Sequence, residues 1–276
     1  MIQTPFRFPG SKNKLLPHIM KELDPILKNA DCFSDGFVGG GPVLLEVAAK
    51  YPNIKLFVND KDRWIYCFWK IVADSNRKEL DQLLDLLSNK PTIKLFNELR
   101  QPFDNTNIVD CAYRCLFFNR TTFSGIINSG PIGGQDQKSK WTVDCRYNFN
   151  NLKKKIEKCH LLLVNRTTVE NFDISQYPYL VNNNYPIYLD PPYVRAGKML
   201  YSVFMSENEH INLSNIIINR SNWVLSYDNH ALINKLYSNC NLQNLTHKYC
   251  IDGKKTTWSE KTELIITPRK LDLAAK

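Results

Sequence analysis

One short motif, Asp190-Pro191-Pro192-Tyr193, combines an acid, a stiff turn and an aromatic ring. The prolines restrict the backbone, so the Asp190 carboxylate and the Pro191 carbonyl are preorganised as a pair of acceptors. Such a pair suits the exocyclic amine of a nucleobase, because accepting its N–H groups localises the nitrogen lone pair and aims it at an electrophile. The Tyr193 ring offers a flat face on which an extruded base can stack. The motif therefore predicts transfer of a group to a base amine.

A glycine-rich turn, Gly39-Gly40-Gly41, separates an apolar segment from a helical pattern that starts at Pro42. Glycine at such a turn lets the backbone approach a ligand above the carboxyl edge of a strand. Asp60 ends the next apolar segment about 20 residues later, where an acid can accept hydrogen bonds from both ribose hydroxyls of an adenosine cofactor. The electrophile would then be the sulfonium methyl group of S-adenosylmethionine. The competing dinucleotide pattern G-x-G-x-x-G fits only in part, since Leu44 stands at its third glycine.

Apolar segments alternate with helical patterns along the chain. Strands are predicted at 31–38, 54–58, 161–165, 187–189, 223–227 and 263–267. Helices are predicted at 42–50, 62–74, 80–87 and 108–118. This alternation favours an α/β fold with a mainly parallel sheet. Trp64, Phe68 and Trp69 follow helical spacing and are expected to pack, and His210 and His230 are also expected to be structural.

The stretch between Asp60 and Asp190 is too long for one connection. We therefore predict a catalytic domain formed by 1–74 and 159–276, and an inserted, mainly helical subdomain at 75–158. Residues 124–158 are rich in Gly, Asn and Lys, which predicts a hairpin or extended loop followed by a basic helix. A mobile arm that probes a groove and a plain surface loop both fit this composition.

The 36 Lys and Arg residues against 27 Asp and Glu give a formal net charge of +9. This excess suits a polyanion such as nucleic acid, and a solubilising surface is the alternative. The basic residues of the insertion can meet phosphates or base edges, although a solvated basic face accounts for at least half of them. They are Arg114, Arg120, Lys138, Lys140 and Arg146.

Several classes of protein are disfavoured by composition. No apolar stretch approaches the roughly 20 residues that a membrane span needs. The N-terminus has no apolar region typical of a secretory signal, and the eight cysteines show no zinc-binding spacing. An intracellular, reduced protein without membrane attachment or metal is therefore expected.

Taken in order, these segments resemble the Dam-like class of DNA adenine N6-methyltransferases over nearly the whole chain. PFRFPGSKNKLL at 5–16 resembles the opening motif, and DGFVGGGPVLLEV at 35–47 resembles the cofactor loop. FNRTTFSGI at 118–126 is similar to an Asn-Arg-x-x-Phe-Asn-Gly segment of the DNA-recognition domain, and DPPY is similar to the catalytic motif. WVLSYDN at 223–229 and KTELIIT at 261–267 resemble later strands of the same sheet.

The resemblance implies a Rossmann-like methyltransferase sheet and S-adenosylmethionine as cofactor. It implies methylation of adenine N6 in a short double-stranded DNA site after base flipping, with the catalytic motif at Asp190, Pro191, Pro192 and Tyr193. The implied cofactor contacts are Phe8, Lys12, Asp35, Phe37, Gly39, Gly41, Asp60 and Asp190. The implied DNA contacts are Arg120, Phe123, Ser124, Lys138, Lys140 and Arg146. Two roles stay open for the Phe123 ring: it inserts between stacked bases, or it packs in the core of the subdomain. Packing in the core is the default expectation.

The chain departs from this family at particular positions. The family often has an Asp-Phe pair before DPPY, and the best matches are Asn171-Phe172 or the reversed Phe172-Asp173. Ser124 stands where an asparagine is usual, and the opening motif has Phe8-Pro9-Gly10-Ser11-Lys12 in place of Trp-Ala-Gly-Gly-Lys. These changes concern contacts of the site and not the reaction.

The resemblance also implies a role as the modification enzyme of a restriction-modification system. The expected protein is a cytoplasmic monomer that pairs in function with a restriction endonuclease. The alternatives are a methyltransferase for cytosine N4 or an RNA base amine, and a catalytically silent DNA-binding protein. A dinucleotide oxidoreductase is disfavoured by Leu44 and by the DPPY motif.

Overall fold

A computed structural model describes residues 2–7, 12–194, 204–250 and 258–269 of the chain. Within these residues, one sheet has the strand order β3-β2-β1-β4-β5-β7-β6. The strands are β1 (Cys32–Asp35), β2 (Lys55–Asn59), β3 (Thr167–Glu170), β4 (Ile187–Leu189), β5 (Trp223–Asp228), β6 (Asn241–Cys250) and β7 (Trp258–Thr267). The first five strands pair in parallel, whereas β7 is antiparallel to both β5 and β6. The expected α/β fold with a mainly parallel, Rossmann-like sheet is confirmed.

The helices begin where the sequence supplies favourable first turns. They are α1 (Leu16–Leu27), α2 (Pro42–Lys50), α3 (Arg63–Ala73), α4 (Lys78–Ser88), α5 (Ile93–Leu99), α6 (Ile108–Thr121), α7 (Phe149–Leu163), α8 (Glu207–Ile217) and α9 (Ala231–Leu236). Asp62 and Asn107 cap α3 and α6 with their side chains, and Ser206 and Glu209 form a capping box on α8. In the described ranges, no helix has the length and apolar character needed to cross a membrane.

Both faces of the sheet are covered by helices. In β4, Ile187 and Leu189 join one apolar cluster, whereas Tyr188 between them joins the other. Because successive strand residues point to opposite faces, this alternation means that apolar side chains are buried on each face. Helices α1 to α7 contribute to the cluster with Tyr188, and α8 and α9 contribute to the cluster with Ile187. The sheet is therefore the middle layer of three.

The region at 75–158 packs directly on the rest of the protein. Its helices α4, α5 and α6 share one apolar cluster with α1, α2 and α3, and α7 runs across the predicted boundary at 158. The loop after α6 is closed by an isolated antiparallel bridge between Thr122 and Pro131. The division into two domains stays a prediction.

The predicted strand at 161–165 is wrong, because α7 continues to Leu163 and the strand starts at Thr167. The buried positions Ile156, Cys159, His160 and Leu163 follow helical spacing, while Leu161 is 76% exposed. A short apolar run resembles a buried strand and conceals this periodicity. The other predicted strands and helices overlap observed ones, although the first strand ends at Asp35 and not at 38.

Candidate active site

The site lies where the carboxyl ends of β1 and β4 meet. Strands β2 and β3 lie on one side of β1 in the sheet, and β4 lies on the other side of β1. Such a switch point leaves a crevice at the carboxyl edge of the strands. Gly36 after β1 donates its N–H to the Tyr188 carbonyl of β4 at 3.0 Å, which ties the two ends together. The glycine-rich loop and the Asp190 motif therefore start side by side.

Asp190 forms an ion pair with Lys12 at the end of β4. The Lys12 Nζ lies 2.8 Å from Asp190 Oδ2, and Lys12 is 4% exposed. It also lies 3.9 Å from an oxygen of Glu263, which is fully buried in β7. A buried ammonium ion is tolerated when carboxylates surround it, because they offset the loss of its hydration. Lys12 was expected at the cofactor, and the structure brings it to Asp190, the predicted catalytic acid.

Tyr193 is part of the same group of side chains. Its hydroxyl donates to Glu263 Oε2 at 3.0 Å, and the Lys12 Nζ lies 4.8 Å from its ring centroid. Tyr193 is only 4% exposed in this conformation, so most of its ring is covered. Its predicted stacking with a base stays a prediction. Sequence reasoning missed Glu263, although a lone acid at the head of an apolar strand segment is an available signal.

The glycine-rich loop is shaped by Trp69 of α3. Gly39 and Gly41 have φ values of +45° and +72°, which favour glycine. The Trp69 Nε1 donates to the Gly39 carbonyl at 2.8 Å, and a Cβ on Gly41 would lie 2.4 Å from the Trp69 ring. The packing role expected for Trp69 is confirmed, and its ring also supports the loop. Among the described residues, a Cβ on Gly39 would meet only the Phe37 carbonyl, at 4.0 Å, so these residues leave space beside Gly39.

Asp60, which directly follows β2, binds the glycine-rich loop. Its Oδ2 accepts from the Gly39 N–H and its Oδ1 from the Asp62 N–H, both at 2.9 Å. Burial, followed by the negative charge of Asp62, raises the pKa of Asp60 to about 7. Burial also raises the pKa of Asp35 at the end of β1 well above its usual value. A carboxylate has about four acceptor positions, so Asp60 retains capacity for ribose hydroxyls.

Asn59 fixes the segment that follows β3. This side chain is 1% exposed, and it donates to the carbonyls of Gly36 at 3.2 Å and Phe172 at 3.1 Å. Its Oδ1 accepts from the Phe172 N–H at 2.8 Å, and Asn171 donates to the Asp60 carbonyl at 2.7 Å. Phe172, which is 37% exposed, is therefore held next to Asp60, the acid that directly follows β2. Sequence reasoning named Asn171-Phe172 without a firm role and missed Asn59.

The predicted DNA contacts divide into exposed and buried residues. Ser124, Lys138, Lys140 and Arg146 are exposed. Arg120 is 8% exposed and donates through Nη2 to the Pro5 carbonyl, so it lies inside the protein, where its contact with DNA is untested. Phe8 lies outside the described residues.

The expected core position of Phe123 is wrong, because this side chain is 69% exposed. Helix α6 ends in the buried residues Thr121 and Thr122, and the chain then turns outward through a short 3-10 segment. Ser124 in that segment has a φ of +56°, a conformation that few residues other than glycine adopt. The turn lifts the Phe123 ring away from the apolar cluster.

Trp141 is a second exposed aromatic residue, which sequence reasoning missed. It is 56% exposed, and the Lys140 Nζ and Arg146 Cζ lie 5.6 Å and 5.9 Å from its ring. Cations beside an aromatic face stabilise it in water and suit the bases and phosphates of a nucleic acid. The signal in the sequence was a tryptophan within a run of basic residues.

The residues at the switch point fit an adenosyl cofactor. The open space beside Gly39 permits close approach to the loop, and Asp60 supplies acceptors for a ribose. Phe172 provides an apolar ring next to Asp60, and Asp35 provides a further carboxyl group. These side chains would hold S-adenosylmethionine between β1 and the catalytic motif. In the part of the chain described, no three His, Cys, Asp or Glu side chains are grouped to hold a metal ion.

Comparisons with known proteins identify the family of the chain. The chain is 23% identical over 211 residues to the Type II methyltransferase M.MjaIII of Methanocaldococcus jannaschii. The aligned region covers 70% of this chain and 69% of that protein. The chain also matches the structure of a precorrin-6y C5,15-methyltransferase from Geobacter metallireducens, with 10% identity and a TM-score of 0.38. This match covers 95% of this chain and 91% of the precorrin methyltransferase chain. Residues 8–251 match the family described as D12 class N6 adenine-specific DNA methyltransferase. The chain belongs to this family and is an adenine-specific DNA methyltransferase that uses S-adenosylmethionine as methyl donor.

Proposed function

We propose that this enzyme methylates adenine N6 at a short site in double-stranded DNA after the base has left the helix. The observation that carries the proposal is the position of Asp190, at the end of β4 and beside the glycine-rich loop of β1. An amine bound at Asp190 would lie close to a cofactor held by that loop. Because stacked bases cannot enter such a crevice, the target adenine must be extruded, which costs a few kcal/mol.

Asp190 and the Pro191 carbonyl act on the adenine amine. Each accepts one N–H, so the nitrogen lone pair is withdrawn from the ring and directed away from both acceptors. When bound, S-adenosylmethionine would supply an electrophilic methyl group, whose bond to sulfur breaks as the bond to N6 forms and whose leaving group is the neutral thioether S-adenosylhomocysteine. The nitrogen becomes acidic once it carries the methyl group, so its proton can leave to Asp190 or to water without a strong base.

Lys12 is a positioning residue for Asp190 in this proposal. Its Nζ holds Asp190 Oδ2 at 2.8 Å, while Glu263 lies 3.9 Å from the same nitrogen. A charged carboxylate has several acceptor positions, so Asp190 can bind Lys12 and the adenine amine together. Glu263 also fixes the Tyr193 hydroxyl, which keeps the aromatic end of the motif beside the acid.

The exposed loop is the DNA-reading part of the enzyme in this proposal. Phe123 and Trp141 present aromatic faces, and Lys138, Lys140 and Arg146 carry positive charge. Aromatic rings can stack on or between bases, and cations bind phosphates with release of counterions. Arg120 is left out of this surface because it is buried against the Pro5 carbonyl.

We also propose that the enzyme acts as a cytoplasmic monomer that protects DNA from a partner restriction endonuclease. The support is the similarity to a protein named as a Type II methyltransferase. DNA treated with the enzyme should then resist nucleases in an extract of the cells that make it. DNA treated with Asp190→Ala should be cut, and equal cutting of both samples would contradict the pairing.

The reaction is tested with purified protein, S-adenosylmethionine and unmethylated genomic DNA, followed by long-read sequencing that maps modified bases. N6-methyladenine at one short motif is the expected result, and Asp190→Ala is the matched control. Modified cytosine would contradict the base assignment. No modified base, with cofactor binding intact, would favour an RNA substrate or a binding protein without activity.

A further inference from the structure

Residues 2–7 form a short segment, here called the N-terminal strap, between the glycine-rich loop and the end of α6. Its side chains contact the loop, and its backbone groups contact α6. Neither the cofactor acids nor the exposed DNA-reading residues belong to it. The strap is thus an element that touches the supports of both binding regions.

The contacts with the glycine-rich loop come from Thr4 and Phe6. The Thr4 hydroxyl donates to the Gly40 carbonyl, in the middle of the loop. The Phe6 ring is 5% exposed and its centroid lies 6.1 Å from that of Trp69. Since Trp69 Nε1 holds the Gly39 carbonyl at 2.8 Å, a shift of the strap would change the support of neighbouring loop residues.

Most of the hydrogen bonds with α6 are made by Asn119, which is fully buried. Its Oδ1 accepts from the Arg7 N–H at 2.8 Å, and its Nδ2 donates to the Arg7 carbonyl at 2.9 Å and the Gly125 carbonyl at 3.0 Å. One amide therefore binds both backbone groups of Arg7, from which it is separated by 112 residues, and the turn that carries Phe123. A buried amide with these partners has little freedom to move independently of them.

The turn and the strap are also in direct contact. Gly125 has a φ of +77°, and a Cβ at this position would lie 2.1 Å from the Arg7 carbonyl oxygen. Arg120 binds the Pro5 carbonyl from the same helix end. When a ligand moves the exposed turn at Phe123, these contacts oblige the strap to follow.

We propose that the N-terminal strap couples DNA contact at the Phe123–Gly125 turn to the cofactor loop, with Asn119 and Thr4 as positioning residues. This inference rests on the proposed function, because it takes DNA as the ligand of the turn. Coupling is reciprocal, so DNA raises the affinity for the cofactor by the factor by which the cofactor raises the affinity for DNA.

The test uses S-adenosylhomocysteine, which cannot donate a methyl group, and a DNA duplex that contains the mapped site. Where no site is mapped, fragments of the unmethylated genomic DNA replace this duplex. The dissociation constant for S-adenosylhomocysteine is measured by calorimetry without duplex and at saturating duplex, and the ratio of the two is the coupling ratio. We expect about fivefold or more for the wild type. Thr4→Val and Asn119→Ala should each lower the ratio toward one, and the double variant should lower it no further than either alone.

Thr167→Val is the matched control. It also removes a hydroxyl that donates to a backbone carbonyl, that of Leu163 at 2.7 Å, but it lies at the amino end of β3. Its coupling ratio should equal that of the wild type. Saturating duplex separates coupling from weaker DNA binding, and Thr4→Val tests the strap even when Asn119→Ala fails to fold.

A coupling ratio of one in the wild-type enzyme would overturn the strap proposal. A coupling ratio in folded Thr4→Val protein that equals the wild-type value would also overturn it. Additive losses in the double variant would also overturn it, because they would mean two separate links. Failure of the proposed function is a different result. An enzyme that methylates adenine with a ratio of one contradicts the strap alone, whereas a ratio above one without methylation contradicts the proposed reaction alone.

Discussion

The edge of the sheet at Asp190, where we propose that methyl transfer occurs, and the loop after α6 are built in opposite ways. At the edge, Lys12, Tyr193 and Glu263 are 4%, 4% and 0% exposed. Lys12 forms ion pairs with Asp190 and Glu263, and Glu263 accepts from the Tyr193 hydroxyl. In the loop, Phe123 and Trp141 are 69% and 56% exposed. Chemistry needs acceptors held in fixed directions, whereas binding a long polyanion needs side chains that reach outward.

The two regions also differ in how charge is treated. A buried ammonium needs a carboxylate partner, so the edge contains both signs. The exposed cations of the loop are hydrated and need no such partner, so they are available for phosphates. Substitutions at the edge should therefore change the rate of methyl transfer, and substitutions in the loop should change DNA binding.

The largest effect is expected for Asp190→Ala. Loss of the acceptor for the adenine amine should lower kcat by about 10³-fold. DNA affinity should stay nearly unchanged, because the loop is intact. Single-turnover methylation and a gel-shift assay measure the two quantities. A DNA affinity that falls in proportion to kcat would contradict the separation of the two regions.

Phe123→Ala should have the converse effect. Loss of the exposed ring that we propose to contact bases should weaken DNA binding by about 1–3 kcal/mol, or roughly 5- to 150-fold. The melting temperature should hardly change, because the side chain lies outside the core. Leu161→Ala, which removes a 76% exposed apolar side chain from α7, is the control and should leave DNA affinity unchanged.

A smaller effect is expected from pH at the edge. The pKa of Asp60 is about 7, and ribose hydroxyls bind its charged form better. Affinity for S-adenosylhomocysteine should therefore rise about tenfold from pH 6 to pH 8, because about nine-tenths of such a group is protonated at pH 6. Asp60→Asn should bind weakly with a flat profile over this range. A steep profile in that variant would assign the titration to another group.

The smallest effect is expected for single lysines of the loop. Lys138→Ala and Lys140→Ala should each reduce the slope of log affinity against log salt concentration by about 0.9 if that lysine binds one phosphate. Lys28→Ala, an exposed lysine after α1, should leave the slope unchanged. Slopes in the loop variants equal to that of the wild type would move the phosphate contacts to other residues.

Local sequence predicted much of the fold because the signals are short. DPPY follows β4 directly, and the glycine-rich turn connects β1 to α2, as expected. The prediction failed where a short run has two interpretations, as in the apolar stretch at 161–165. There the buried side of a long helix decided the conformation.

What the sequence determined by itself is the chemistry of each segment: an acid held by prolines, a turn that needs glycine, and an acid that ends β2. Only the tertiary structure decided which distant side chains meet. It brought Lys12 to Asp190 and Glu263, bound Asn119 to Arg7, and placed Phe123 outside the core. Motifs are set by neighbours along the chain, whereas burial and pairing depend on the packing of all three layers at once, and this packing leaves no local signal.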